Sequence, residues 1–285
     1  MRICAGIVTY NPQINLLSSN ITAIRSQVDY VVLIDNGSNN ARDIDDLKND
    51  GDNIIVVYNN NNEGIAKALN QIGSEAKRLG CDWFLTLDQD SVCQPDMIDH
   101  YDSCIKELSD DTIGMLCPRI KLRVLDENEK SITSKYEDVD VAITSGCLVK
   151  VKTWEEVSGF WDYLFIDKVD DDFCLSLKDK GWRIVRVNNV SLEHEIGRPT
   201  KHHFFTFSYY TDSYPEFRYY YIARNSVIVY SIHNNHHFDA KKNILKKMLK
   251  IIIGENGKTL KLKALCKGYK DGKKFLMLGL SRNSL

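Results

Sequence analysis

The sequence predicts an α/β fold with a mostly parallel central sheet flanked by helices. Three observations support this fold: short continuous apolar runs recur along the first half of the chain, helical patterns separate them, and polar residues follow them. Continuous apolar strands are typical of sheets that helices cover on both faces. Such sheets bind ligands beyond the carboxyl ends of their strands, so the polar residues found there are candidate site residues.

The predicted elements alternate from the N-terminus onward. Strands are predicted at residues 4–10, 31–36, 53–59, 83–90, 113–117 and 141–151, and helices after Pro12, over 63–79, over 95–108 and over 173–180. In the first helix Leu17, Ile21 and Ile24 recur on one face. Neither G-x-G-x-x-G nor G-x-x-x-x-G-K-[ST] occurs, which argues against a dinucleotide-binding Rossmann domain and a P-loop NTPase.

Charge divides the chain into an acidic body and a basic tail. The net charge is −2, but residues 241–285 hold thirteen Lys or Arg and only two acidic residues. We therefore expect one domain over residues 1–235 and a basic helical extension over residues 236–285. A basic amphipathic helix can bind an anionic membrane surface, and the alternative is a helix packed on the body with its lysines in solvent. Nucleic acid is not expected as a partner, because the body is acidic.

The eight cysteines are scattered and form no C-x-x-C pair. A zinc ribbon or a redox motif is therefore disfavoured, and buried thiols in the reducing cytoplasm are expected. No apolar run approaches the length of a membrane span.

Two acidic residues, Asp88 and Asp90, end the fourth predicted strand. Residues at i and i+2 of a strand face the same side, so the two carboxylates are expected to point the same way. Like charges at that separation repel each other unless a cation lies between them. Mg²⁺ or Mn²⁺ suits carboxylate oxygens combined with substrate phosphates. A solvated strand end is the alternative interpretation.

A second acidic cluster precedes the helical stretch that Gly181 ends. It comprises Asp167, Asp170, Asp171 and Asp172. Acidic residues stabilise a helix N-terminus, but one or two suffice for that purpose. We therefore expect one of the four to act as a general base.

Three further residues have two interpretations each. His194 lies between two glutamates and is either a surface histidine or a metal ligand that a carboxylate orients. Arg218 and Arg224 lie among tyrosines. They either belong to a helix that packs on the sheet or bind a phosphate or a sugar acceptor.

Taken in order, eight motifs resemble the inverting family 2 glycosyltransferases with the GT-A fold, and more closely their bacterial rhamnosyltransferase branch. The motifs are IVTYN (7–11), LIDNGS (33–38), NNEGIAKALNQI (61–72), LTLDQDS (85–91), TSGCLV (144–149), LFIDKVDDDFCLSLKDKGW (164–182), LEHEIG (192–197) and YPEFRYYYIARN (214–225). Each motif is weak alone, but the ordered set is specific.

The resemblance implies a role for each candidate residue. Thr9, Asn11 and Asp35 would contact the nucleoside, and Asn62, Gly64 and Asn70 would line the donor pocket. Asp88 would face the ribose or the sugar, Asp90 would ligate Mg²⁺ or Mn²⁺, and His194 would lie near the metal and the diphosphate. Asp170 would be the catalytic base, with Asp167 and Asp172 as runners-up. Ser176 stands where the family often has Arg, which puts any donor contact from that Arg in doubt.

The implied activity is transfer of L-rhamnose from dTDP-L-rhamnose with inversion, and a UDP-hexose is the alternative donor. The implied acceptor is a growing cell-surface polysaccharide, such as O-antigen or capsule, or a lipid-linked oligosaccharide at the cytoplasmic face of the inner membrane. Two rivals belong to other classes. A nucleotidyltransferase usually needs a glycine-rich loop with Lys or Arg, which residues 8–17 lack. A non-catalytic sugar-nucleotide-binding protein would bind the donor without turnover.

Overall fold

The computed structural model describes residues 1–51, 53–122, 134–194, 200–204, 207–211, 214–233 and 239–282. These residues form two compact units. The first unit comprises Met1–Asp162 and Phe173–His194, and the second comprises Tyr163–Asp172 and Glu195–Leu285. The boundary predicted at residue 235 separates a domain from its basic extension. The two units are defined by contacts instead, so the predicted boundary stays a prediction.

The first unit contains an eight-stranded sheet in the order β3-β2-β1-β4-β7-β5-β8-β6. Its strands are β1 (Ile3–Thr9), β2 (Tyr30–Asp35), β3 (Ile54–Tyr58), β4 (Trp83–Asp88), β5 (Ile113–Leu122), β6 (Tyr136–Asp138), β7 (Cys147–Lys150) and β8 (Arg183–His194). Strands β1 to β4 are parallel to one another, and β5 is parallel to β8, whereas β7 is antiparallel to β4 and β5, and β6 is antiparallel to β8. The predicted α/β fold with a mostly parallel sheet is confirmed.

Helices cover this sheet because their apolar residues recur at helical spacing. They are α1 (Ile14–Arg25), α2 (Ala41–Asp46), α3 (Ile65–Arg78), α4 (Met97–Leu108), α5 (Val151–Glu156) and α6 (Val169–Asp179), which begins in the second unit and continues in the first. The predicted face of α1 is buried at Leu17, Ile21 and Ile24. Every residue of β1 is buried, as a strand covered on both faces requires.

Two strand predictions need correction. The strand predicted over 141–151 is confined to β7, because Gly146 has a φ of +82° and turns the chain before Cys147. The N–H of Gly146 donates to the carbonyl of Thr86 at 2.7 Å. The strand predicted over 113–117 continues to Leu122. Its pairing with β8 shifts register between Pro118 and Arg119, so the strand continues past a residue that has no N–H to donate.

The second unit contains a hairpin and three helices among its described residues. They are β9 (Thr200–Phe204), β10 (Phe207–Thr211), α7 (Glu216–Ile232), α8 (Ala240–Gly254) and α9 (Lys258–Met277). Tyr219, Val227, Ile251 and Leu265 belong to a core that the three helices share. The tail predicted as helical is thus helical over its described residues, and part of it is buried.

Seven of the eight cysteines are buried free thiols, and Cys266 is an exposed one, so the prediction of buried thiols is confirmed at seven positions. Among the described residues, none of the helices combines the length and the apolar character needed to cross a bilayer.

Candidate functional site

The site begins at the carboxyl ends of three adjacent parallel strands in the first unit. In the register of β1 and β2, Thr9 is paired with Asp35, and in that of β1 and β4, Val8 is paired with Asp88. The predicted donor-binding residues of these strands therefore lie at one edge of the sheet. This edge is where open α/β sheets bind their ligands.

Asp35 is the centre of the first polar network at this edge. Its carboxylate is 1% exposed and accepts hydrogen bonds from the Thr9 hydroxyl at 3.2 Å, the Ser38 N–H at 3.2 Å and the Ser38 hydroxyl. The Asn11 N–H donates to the Ser38 hydroxyl at 2.8 Å, and the Asn39 N–H donates to the Asn11 side chain at 2.8 Å. The structure thus brings the predicted Thr9, Asn11 and Asp35 together.

Ser38 is a further candidate site residue, which the prediction missed. Its hydroxyl links Asp35 to the backbone of Asn11, so it orients both predicted residues. The available signal was its position three residues after a buried acid in the turn that follows a strand. A hydroxyl placed there can bond the acid and shape the turn at once.

A second network of amides joins the loops that follow β2 and β3. Asn36 donates to the side chain of Asn62 at 3.1 Å and to the carbonyl of Gly64 at 3.3 Å, and it accepts from Asn59 at 3.1 Å. Gly64 has a φ of +87°, which side-chain-bearing residues rarely adopt, and it directly precedes α3. The predicted Asn62 and Gly64 therefore lie together, held by Asn36, which the prediction treated only as a turn residue.

Asn70, the other predicted donor-pocket residue, bonds to the segment after α5. Its amide oxygen accepts from the Phe160 N–H at 2.7 Å and from the Trp154 indole at 3.1 Å. Its amide nitrogen donates to the Phe160 carbonyl and to Asp162, both at 2.7 Å. These four bonds give Asn70 a structural task, and its predicted contact with the donor stays a prediction.

Asp88 is the last residue of β4, and Asp90 lies in the turn that follows. The strand predicted over 83–90 therefore ends at Asp88, so strand alternation does not apply to Asp90, and the alignment of the two carboxylates stays a prediction. The turn is anchored instead by its backbone: Asn20 donates to the Asp88 carbonyl at 2.8 Å, and the Asp88 N–H donates to Ser145 at 3.1 Å. Asn20 and Ser145 were not predicted as site residues, although Ser145 belongs to one of the family motifs.

The donor set at this turn fits a hard divalent cation. Asp90 is exposed and Asp88 is half-buried, so the two carboxylates offer oxygen ligands next to solvent. Mg²⁺ is typically held by one or two carboxylates together with substrate phosphates and waters. Among the described residues no three His, Cys, Asp or Glu side chains converge, and the side chain of His194 lies outside them.

The second acidic cluster lies in the second unit, at and before the start of α6. Arg218 forms a bidentate pair with Asp167, with contacts from 3.1 to 3.3 Å. Asp171 contacts the Lys168 ammonium at 3.3 Å and accepts from the Tyr230 hydroxyl at 3.0 Å.

Asp172, in the first turn of α6, is 1% exposed, and both of its carboxylate oxygens have partners from elsewhere in the second unit. One contacts the His233 ring at 3.1 Å, and the other accepts from Arg282 at 3.0 Å. Asp170 lies in the same first turn and is half-buried.

Two opposing effects act on Asp167. Burial raises its carboxyl pKa above the ordinary value, whereas the guanidinium of Arg218 and the ammonium of Lys168 lower it. The net shift is upward. The bidentate pair accounts for the position of Arg218, which the prediction assigned to an acceptor or a phosphate; that role stays a prediction.

The chain before α6 is strained and clamped from α7. Phe165, Asp167 and Lys168 have φ angles of +63° to +65°, in the left-handed region. The amide of Asn225 donates to three backbone carbonyls of this loop, including that of Asp167 at 2.8 Å. Non-glycine residues remain in this conformation only where the surrounding structure holds them, and such residues cluster at functional sites.

Arg224 supports the same loop. Its guanidinium donates to the Tyr163 carbonyl at 2.6 Å and lies over the rings of Tyr163 and Tyr221, at 4.4 and 4.7 Å. These contacts give Arg224 a structural task in the second unit, and its predicted contact with a phosphate or an acceptor stays a prediction.

Comparison with known proteins gives matches to a family model, to a related protein sequence and to solved structures. The model of the family described as glycosyl transferase family 2 matches residues 4–160. The dTDP-rhamnosyl transferase RfbF of Shigella flexneri is 28% identical over 208 residues, which cover 68% of this chain and 69% of that protein.

Solved glycosyltransferase structures share the fold. GalNAc-T7 with UDP, GalNAc and Mn²⁺ gives a TM-score of 0.64 at 13% identity, over 98% of this chain and 57% of that chain. S. aureus TarS 1–349 in complex with UDP-GlcNAc gives 0.55 at 11% identity, over 98% and 92% of the two chains. At these identities the likeness concerns the fold, which is the GT-A fold.

Proposed function

The chain belongs to glycosyl transferase family 2, and from this we propose that it transfers L-rhamnose from dTDP-L-rhamnose to a hydroxyl of a cell-surface polysaccharide or a lipid-linked oligosaccharide. Its family makes it a hexosyltransferase. The observation that carries the proposal is the network of Thr9, Asp35 and Ser38 at the sheet edge beside Asp88. The similarity to a dTDP-rhamnosyl transferase supports the choice of rhamnose.

Donor binding belongs to the first unit in this proposal. The buried Asp35 and its hydroxyl partners supply the fixed polar groups that a nucleoside needs for recognition. Fixed polar groups of this kind discriminate well, because a ligand that lacks the complementary group leaves them unpaired. Asn62 and Gly64 contribute to the donor pocket, and their positions depend on Asn36.

Asp90, with Asp88 beside it, would hold Mg²⁺ or Mn²⁺. When bound, the cation would stabilise the negative charge that develops on the departing diphosphate. The predicted ligand role of His194 belongs to the same proposal. The solved GalNAc-T7 structure contains Mn²⁺ with UDP, which supports a divalent metal for this fold.

Asp170 is the proposed base. Its carboxylate takes the proton of an acceptor hydroxyl while the hydroxyl oxygen bonds to the anomeric carbon of the sugar. The bond from that carbon to the diphosphate oxygen breaks, and the nucleoside diphosphate leaves with the electron pair. Attack opposite the leaving group inverts the configuration. The other three acids of the cluster have structural contacts: Asp167 pairs with Arg218, Asp171 with Lys168, and Asp172 with Arg282 and His233.

Helix α8 supports a membrane-linked acceptor. Its exposed apolar side chains are Leu245, Leu249, Ile252 and Ile253, which recur at i, i+4, i+7 and i+8 and therefore form one stripe. Lysines 241, 242, 246 and 250 are exposed on the same helix. A stripe of this kind with lysines beside it suits the surface of an anionic membrane. We propose that this stripe, hereafter the α8 stripe, docks on the cytoplasmic face of a membrane.

A thermal-shift titration tests the donor. The full chain is titrated with dTDP-L-rhamnose, UDP-glucose and UDP-galactose, each with and without Mn²⁺. A ligand that binds only the folded state raises its stability by about 2.7 kcal/mol at 100 times the dissociation constant. We expect a metal-dependent shift with dTDP-L-rhamnose alone, and its loss in Asp90→Asn.

The other outcomes of this titration are equally informative. A shift only with a UDP-hexose would keep the reaction class and remove rhamnose as the donor. Binding of dTDP-L-rhamnose without release of dTDP in the presence of acceptor would favour the non-catalytic binding protein.

A further inference from the structure

The second unit contains a cavity of about 360 Å³ that the proposed reaction does not use. Its walls come from the loop before α6, from Tyr214 and α7, and from α8. The lining includes Lys168, Lys246, Lys247, Lys250, Tyr214 and Asn243. We refer to it as the lysine pocket.

The lysine pocket is strongly cationic. Four of its lining residues are lysines, and Asp167 is the acidic residue among those that line it. The carboxylate of Asp167 is already engaged by the guanidinium of Arg218 at 3.1 Å. Lys168 also contacts Asp171 at 3.3 Å. The other cations of the lining are therefore Lys246, Lys247 and Lys250 of α8, whose positive charge a bound anion would offset.

The chemistry of the lining selects an oxyanion. Besides the lysines, the pocket presents the hydroxyl-bearing Tyr214 and Ser226 and the amide of Asn243. Ammonium, hydroxyl and amide groups all donate hydrogen bonds, and a phosphate offers several oxygens that accept them. Ile222 and Ile244 add an apolar wall, which suits a phosphate that carries an organic substituent.

The pocket also shares its wall with the loop that leads to the proposed base. Asp167 and Lys168 line it, and Asp170 follows them in the first turn of α6. Their left-handed backbone is clamped by Asn225, so the wall is held rigidly. A group bound in the pocket would therefore be held at a fixed place relative to this loop.

We propose that the lysine pocket binds the phosphate or diphosphate group of the acceptor. The identification of the ligand as the acceptor rests on the proposed function, whereas the anion site itself is argued from the lining residues alone. The same chemistry could come from a prenyl diphosphate, from the headgroups of bulk anionic lipid or from free phosphate. The experiment therefore compares a prenyl diphosphate with free phosphate.

The test measures binding to the full chain by isothermal titration calorimetry in EDTA, so that no divalent cation links the ligand to Asp90. The probes are inorganic pyrophosphate, inorganic phosphate and farnesyl diphosphate. The double variant Lys246→Gln/Lys250→Gln removes two exposed charges of the pocket. The matched control, Lys263→Gln/Lys270→Gln, removes two exposed charges of α9 that do not line it.

We expect the pocket variant to bind pyrophosphate and farnesyl diphosphate at least tenfold more weakly than the wild type, and the control variant to bind them within twofold. Vesicles of phosphatidylglycerol do not test the pocket, because Lys246 and Lys250 also lie on the helix that carries the α8 stripe; the soluble probes alone decide whether the pocket binds an anion. Phosphate binding as tight as that of farnesyl diphosphate would assign the pocket to free phosphate and overturn the acceptor role.

Equal pyrophosphate affinity in the two variants would overturn the site altogether. This readout involves no sugar transfer and no nucleotide. A failure of the rhamnose proposal and a failure of the lysine pocket are therefore distinguished.

Discussion

Among the residues near the start of α6, position and bonding separate the acids into two kinds. Asp167 is paired with Arg218 at 3.1 Å, and Asp172 is paired with Arg282 at 3.0 Å. Asp172 is also buried, which fits a structural role at the helix start. Asp170 occupies the position that the family motif gives to the base, and its role as the base stays a proposal.

The variant Asp170→Asn tests the base. The amide cannot accept the proton of the acceptor hydroxyl, so we expect the rate of sugar transfer to fall by about 10²–10⁴-fold. The affinity for dTDP-L-rhamnose, measured by the thermal-shift titration, should stay within twofold. The matched control is Asp179→Asn, which removes a carboxylate at the other end of the same helix and should transfer at the wild-type rate. Transfer by Asp170→Asn at the wild-type rate would move the base to another acid.

At the scale of elements, α7 and α9 pack so closely that two glycines of α9 are required. Gly268 and Gly272 are buried against the backbone carbonyls of Tyr220 and Arg224. Small residues allow helix backbones to approach each other at such positions. This packing also fixes α7, whose Arg224 and Asn225 clamp the loop before α6.

The variant Gly268→Ala tests this helix pair. A Cβ at this position would lie 2.1 Å from the carbonyl oxygen of Tyr220, so backbone must move. Overpacking of this kind costs about 1–3 kcal/mol, against a gain of about 1 kcal/mol from the better helix propensity of Ala. Because the clash is with backbone, we expect the upper end of this cost and a net loss of about 2 kcal/mol in urea denaturation. Lys270→Ala, on the exposed side of α9, should stay within about 0.5 kcal/mol. An Ala variant as stable as the wild type would show that the helices do not approach this closely.

At the scale of the whole molecule, charge and exposed apolar surface coincide in the basic tail. Helix α9 buries Leu265 and Phe275, so part of the tail belongs to a folded core. The α8 stripe stays exposed, with Leu245 66% accessible. One side of the tail thus packs within the second unit, and the membrane interpretation of the α8 stripe stays a prediction.

Vesicle sedimentation tests the α8 stripe. The full chain should bind vesicles of phosphatidylglycerol and phosphatidylcholine more tightly than vesicles of phosphatidylcholine alone, because lysines add about 1 kcal/mol each near an anionic surface. Leu249→Gln/Ile253→Gln should weaken this binding at least tenfold, since it removes two apolar groups from the stripe. The matched control is Leu16→Gln, an exposed leucine of α1 in the first unit. Equal weakening by Leu16→Gln, or none by the stripe variant, would remove the membrane proposal.

The local pattern of the sequence determined most of the first half of the fold. The strands β1, β2 and β4 are buried on both faces of the sheet. Their sequences are therefore continuous apolar runs, which predict a strand without knowledge of the tertiary structure. It also determined which polar residues follow those strands. Thr9 and Asp35 lie together because parallel strands place their carboxyl ends at one edge.

Only the tertiary structure decided what the remaining candidates do. The side chains of Asn70 and Arg224 are of types that often bind ligands. In the structure, however, Asn70 bonds to Phe160 and Arg224 bonds to Tyr163, both distant in the chain. Strand β8 was not predicted, since its place in the sheet depends on β5, some seventy residues earlier. Local propensity describes a residue and its near neighbours, whereas these roles follow from long-range contacts that no local pattern contains.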